Sequence, residues 1–220
     1  MPSKLRRRLL IDLILAIILI ELMAFSPDGE ELHEYLGVGF IVVLTSHLIF
    51  QRQWLRKAFV TPFPSSKLIK LIVFVLLFIA TILQLASGLQ LASHLPLHLS
   101  GPFSTTTARS LHMGLAYWTL CLAGIHVGLH SASLSASLHL NKLSTSLRLA
   151  LRSIVFLLAV YGLHALIYRD VLSYMFMETH FASFDDDELR VFLYIDLVSM
   201  VTLWATLAHY ALKLLPSRKR

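Results

Sequence analysis

The chain has 220 residues, 56% of them hydrophobic and 15% charged, with a net charge of +6 and a mean hydropathy of +0.71. Soluble domains carry about 25% charged residues, and a core of this size cannot hide so much apolar surface. The composition therefore excludes a soluble enzyme domain, a disordered chain and a secreted disulfide scaffold. The single cysteine, Cys121, lies in an apolar stretch, which also excludes a thiolate metal cluster and a c-type haem attachment motif.

Six stretches, near 9–25, 35–51, 68–91, 110–130, 150–168 and 190–214, are long and apolar enough to cross a hydrocarbon layer of about 30 Å, which takes about 20 helical residues. Gly and Pro cluster between them, at Ser26-Pro27-Asp28-Gly29, Thr61-Pro62-Phe63-Pro64 and Ser100-Gly101-Pro102, and read as helix stops. The first stretch has the basic start of a signal peptide and small residues near Ala24-Phe25-Ser26, but its apolar run exceeds the usual signal core of about 15 residues. The Ser/Leu-rich connection 131–146 reads either as an amphipathic surface helix or as a polar connector. The fold class this predicts is all-α: a polytopic membrane bundle of six transmembrane helices and a single domain spanning 1–220.

Charge sets the orientation, because Lys and Arg remain on the cytoplasmic side while acidic residues do not hinder export. With the N-terminus inside, 16 of 19 basic residues fall inside, leaving Arg109, Arg169 and Arg190 outside, and 10 of 13 acidic residues fall outside. The expectation is both termini in the cytoplasm. The basic pI of 9.6 then reports topology and contact with anionic lipid, not nucleic acid.

Histidine is the conspicuous polar residue, with 11 copies. His33 and His47 bracket the second stretch and His112 and His126 the fourth, each pair 14 residues apart. At about 100° per residue, 14 steps fall roughly 40° short of four turns, so both members of a pair share a helix face. At about 1.5 Å per residue they sit about 21 Å apart along the axis, near the two edges of the slab. Both stretches run from outside to inside, so His33 matches the depth of His112, and His47 that of His126. A third pair at this spacing, His98 with His112, passes through Gly101-Pro102 and cannot share one helix face.

Two helices that each offer one imidazole at two matched depths make two two-histidine sites stacked across the bilayer. Haem iron takes two axial ligands on opposite faces of a flat macrocycle, and neutral imidazole is a suitable donor. The expectation is two b-type haems in a four-helix core, with His33, His47, His112 and His126 as metal ligands. Gly37 and Ala116, one turn from His33 and His112, and Ala123, near one turn from His126, would let a flat ring lie against the backbone, though small residues serve ordinary helix packing equally well. Arg109, one turn before His112, is a candidate partner for a haem propionate. His130 is the runner-up to His126. His94, His98, His139, His164 and His209 read as structural or interfacial.

The segments His33-Glu34-Tyr35-Leu36-Gly37 through His47, Leu111-His112 through Ile125-His126-Val127-Gly128-Leu129-His130, and Phe184-Asp185 before a last helix with His209-Tyr210 resemble the flavinylation-associated cytochromes. These are bacterial di-haem membrane cytochromes found beside extracytosolic flavoproteins. The ligand spacing is also similar to that in the cytochrome b of respiratory bc complexes. The resemblance covers most of the chain, although its motifs are short. It implies a bacterial cytoplasmic membrane location and electron transfer to an outer flavoprotein partner. No flavin-attachment motif occurs here, so covalent flavin would belong to that partner.

The donor is open between a membrane quinol and a cytoplasmic flavoprotein. Asp12, Glu21 and Asp196 lie within spans, where acidic groups are costly and usually functional, for instance in proton release from a quinol. Asp12 has the Arg6–Arg8 cluster as a nearby alternative partner. The acidic run Asp185–Glu188 offers an outer docking surface or a plain solvated loop. The rival readings are a proton or divalent-metal transporter, a haem-edge reductase or oxidase of a small substrate, and a subunit that only anchors another protein.

Overall fold

The computed structural model describes residues 3–25, 29–60, 65–96, 101–179 and 188–214. Among these, all regular structure is helical: α1 (Ser3–Met23), α2 (Glu30–Val60), α3 (Ser65–Leu91), α4 (Thr105–Ser137), α5 (Thr145–Tyr168), the short α6 (Val171–Met175) and α7 (Arg190–Leu214), with a 3₁₀ turn at Leu140–Lys142. Pro62 and Pro64, the His98 position, the acidic positions 185–187, the Phe184-Asp185 step and the basic residues 218–220 lie outside the described residues.

The helices follow from long Leu/Ile/Ala/Val runs without internal proline, since every proline of the chain falls outside them. Serines cap two starts: Ser104 Oγ accepts from the Thr107 N–H at 3.1 Å and Ser144 Oγ from the Leu147 N–H at 3.3 Å. The connection 131–146 is neither a surface helix nor a plain connector. α4 carries straight on to Ser137, and the reversal is made by His139 in the left-handed region (φ 54°) and the 3₁₀ turn. Ser and Ala at these positions do not break a helix already propagating, which is why the composition misleads.

Among the described residues, four helices are long and apolar enough to cross a membrane: Glu30–Lys57, Ser66–Leu91, Thr145–Tyr168 and Arg190–Leu214. They mark the chain as a membrane protein, and Leu, Ile, Val and Phe side chains stand exposed along them, as contact with lipid requires. The stretches 9–25 and 110–130 are helical too, but α1 carries Arg6, Arg7, Arg8, Asp12 and Glu21, and α4 is diluted by Thr, Ser, His and Gly.

α4 is the central helix, packed against α3 on one side and α7 on the other, with α5 against α7 and α1 against α2. The core gathers Leu120 and Cys121 of α4, Ala165 and Leu166 of α5, Met175 of α6 and Leu197 and Met200 of α7. Backbones meet closely here. A Cβ at Gly128 would collide with the Ala205 carbonyl, one at Gly162 with the Ser199 carbonyl, and one at Gly124 would come within 2.9 Å of the Val201 oxygen. Gly124 and Gly128 form the small-xxx-small spacing that lets membrane helices approach.

Candidate site: a histidine ladder between α2 and α4

His33 and His112 face each other from α2 and α4, with ring centroids 6.0 Å apart and planes at 75°. Farther along the same two helices, Trp54 of α2 meets His130 of α4 at 5.6 Å. Contacts made in the same chain order on both helices mean that α2 and α4 run parallel. The offset between His33 and His112 is 79 residues, and it is the same between His47 and His126. Equal rise per residue therefore puts His126 opposite His47. Both His126 and His130 lie within electrostatic range of His47, and their rings meet at 4.8 Å, tilted by 38°. Trp54 and His130 close this end of the ladder.

Neighbouring helices hold these rings by their nitrogens. The Nδ1–H of His112 donates to the Gln84 carbonyl of α3 at 3.1 Å, and its Nε2 accepts from the Gln84 side-chain amide at 3.3 Å. Gly88 makes room for this ring, because a Cβ there would stand 2.8 Å from His112 Cε1. His47 Nδ1–H donates to Asp12 Oδ1 of α1 at 2.7 Å, which leaves Nε2 as the free donor atom. His33 lies by the Leu22 carbonyl and edge-on to Phe25 at 5.0 Å, while its Nδ1 is buried with no hydrogen-bond partner. A second buried imidazole nitrogen, His130 Nε2, is also without one. Engaging one ring nitrogen and leaving the other as a lone pair is how proteins prepare histidine to bind a metal.

The remaining candidates divide. A Cβ at Gly37 would meet no atom within 4 Å, so the space beside this residue, one turn from His33, is open. Ala116 and Ala123 are half-buried on α4, and Arg109 is exposed in its first turn. The small residues that bring backbones together are instead Gly124 and Gly128, which seat α7; the glycine spacing in the sequence carries that signal. Gln84, Ser87 and Gly88 were not singled out by sequence reasoning either, although a polar Gln-x-x-Ser-Gly patch interrupts the otherwise apolar α3 run.

Asp12 pairs with His47 and not with the arginine cluster, a choice made by the register of α1 on α2. Glu21 accepts from the Tyr194 hydroxyl at 2.7 Å. Buried Asp196 accepts from Arg169 Nε and the Tyr161 hydroxyl, each at 2.8 Å, and Arg169 also forks onto Glu188. Its hydrogen bonds to Glu188, then to Asp196, hold the Arg169 guanidinium above its ordinary range against the opposing effect of burial. This network ties α5 to α7 and accounts for Asp196 without any proton chemistry.

His209 bonds to Ser131 Oγ at 2.6 Å, His164 sits between Tyr161 and Tyr168, and His94 belongs to the turn after α3. At that turn Glu34 accepts from the backbone N–H groups of Ser93, His94 and Leu95 at 2.7–3.0 Å. Glu30, Glu34 and His94 lie close enough to offer a cation three ligand atoms, but the Glu34 carboxylate is already committed to the turn. No family model, no curated protein and no solved structure matches this chain.

Proposed function

We propose that this protein is a six-span, di-haem b-type cytochrome that moves electrons across a membrane. His33 and His112 ligate one iron, and His47 and His126 the other. The observation that carries the reading is the His33–His112 pair. An iron–imidazole bond of about 2 Å on each side separates two ring centroids by about 6 Å, and the rings stand 6.0 Å apart on parallel helices. An ordinary edge-to-face contact has a similar separation. The feature that favours a metal is the combination around the pair: an orphaned buried Nδ1 on His33, a tautomer of His112 fixed by Gln84, and open space beside Gly37.

A haem held by two imidazoles has no open coordination position, so the chemistry it supplies is one-electron transfer. The chain's own task is to orient four rings, exclude water with apolar helices, and keep the two sites about 21 Å apart by helical rise. α1 and α4 count as spans in this proposal: Asp12 and Glu21 have partners inside the bundle, and α4 is covered by α3 and α7. Cytoplasmic termini, a bacterial cytoplasmic membrane, an outer flavoprotein acceptor and a quinol or cytoplasmic donor complete the proposal, on the charge asymmetry and on the resemblance to flavinylation-associated cytochromes.

The test is the absorbance of the purified protein. A Soret band, sharp reduced b-type bands and two haems per chain are expected. A colourless protein overturns the proposal and favours the rival cation transporter, for which the Glu30–Glu34–His94 group would be the first place to look.

A further inference from the structure

The two sites are not equivalent in what lies behind their ligands. His47 donates to a carboxylate, Asp12 Oδ1, at 2.7 Å. His112 donates to a neutral carbonyl, that of Gln84, at 3.1 Å, and His33 lies by the neutral carbonyl of Leu22. A carboxylate as acceptor pushes electron density through the imidazole to the metal far more than an amide carbonyl does, and shorter, charge-assisted bonds are the stronger ones. The oxidised iron carries the extra positive charge, so the more basic ligand favours it. Resting on the di-haem reading, we propose that Asp12 sets the order of the two potentials: the haem at His47 is the one with the lower midpoint potential, and electrons run from it to the haem between His33 and His112.

Other charges lie around the two sites. Lys70 of α3 lies within electrostatic range of His126 and His130 and acts in the opposite direction. It acts through space, whereas Asp12 acts through a direct bond to a ligand. Glu30 and Glu34 reach His33 through space only, and the Glu34 carboxylate is turned to three backbone N–H donors of the neighbouring turn. Asp12 itself sits within an apolar helix, where a carboxylate without a partner is costly, so its bond to His47 fixes the residue there as firmly as it fixes the ring. Asp12 is a positioning residue: it acts on the iron through His47.

The experiment is a potentiometric titration of the haem absorbance in the full-length protein. The His112→Ala variant loses one haem, and the haem that remains is expected to titrate at the lower of the two wild-type potentials. Asp12→Asn is expected to raise that lower potential and leave the higher one in place, while Asp12→Glu keeps it low. If the haem retained in His112→Ala titrates at the higher potential, the inference is overturned. It is equally overturned if Asp12→Asn moves neither potential or moves both by the same amount. Should Asp12→Asn fail to fold, the His112→Ala titration decides alone. Absence of haem from the wild-type protein would overturn the di-haem reading itself, a result distinct from a reversed order of potentials.

Discussion

The bundle has two halves built to opposite rules. In the half formed by α4, α5, α6 and α7, helices touch backbone to backbone at Gly124, Gly128 and Gly162, and Leu120, Leu197 and Met200 are at most 2% exposed. In the half formed by α1, α2, α3 and the other face of α4, Phe40 is the sole buried side chain among those described on α2. There α2 reaches α4 through imidazole and indole rings, and Gly37 has no neighbour within 4 Å. One half is complete from its own side chains. The other packs α3 closely on α4 and α1 on α2, but between α2 and α4 it sets imidazole and indole rings in place of close backbone contact.

Substitutions should therefore separate the halves, most sharply at the ligands. Exchanging both His33 and His47 for alanine is expected to abolish haem binding while the helical circular dichroism signal persists, and either change alone is expected to leave one haem per chain. Next comes Asp196→Ala. Removing a buried hydrogen-bonding partner costs about 1–3 kcal/mol, so the loss of one of Arg169's two carboxylate partners is expected to lower the thermal midpoint in detergent without altering the haem spectrum at low temperature. A normal midpoint for that variant would mean the α5–α7 network is not holding the packed half.

A matched pair of glycine variants sharpens the contrast further. Gly128→Val drives a side chain into the Ala205 backbone and should destabilise the protein by about 1–3 kcal/mol or more. The Cβ of Gly37→Leu would meet no atom of a neighbouring element within 4 Å, and glycine is a poor helix former by about 1 kcal/mol. Its apoprotein is therefore expected to be as stable as the wild type, while the haem at His33 is lost. If Gly37→Leu binds two haems, the open space beside this glycine is lipid and not a cofactor site. The smallest effect expected is that of Ser131→Ala, which removes the bond to His209 and should cost about 1 kcal/mol in a denaturation series.

Helical periodicity made the matched depths of the four histidines legible, because the spacing of two residues on one helix depends on nothing outside it. The long apolar runs likewise mark α3 and α7 with boundaries to within a turn, while α5 begins five residues before its expected start. What the sequence left unread were contacts between elements distant in the chain. Asp12 and His47 are 35 residues apart, and only the register of α1 on α2 decides that the carboxylate meets a ring and not an arginine one turn away. Arg169 stood out as an exception to the charge rule and Asp196 as an acid within a span, yet nothing local says that they meet. The glycine pair of α4 was legible in principle. Ala123 near His126 reads as room for a cofactor, while Gly124 and Gly128, which that reading passes over, seat α7.

Glu34 follows His33 directly in the chain and clasps the turn Ser93–Leu95 through three amide hydrogens. That grip makes the turn a handle on the neighbouring imidazole. A body that settles on the turn and shifts it would tug the α2 backbone beside His33, so docking at this rim has a mechanical route to the ring one residue away.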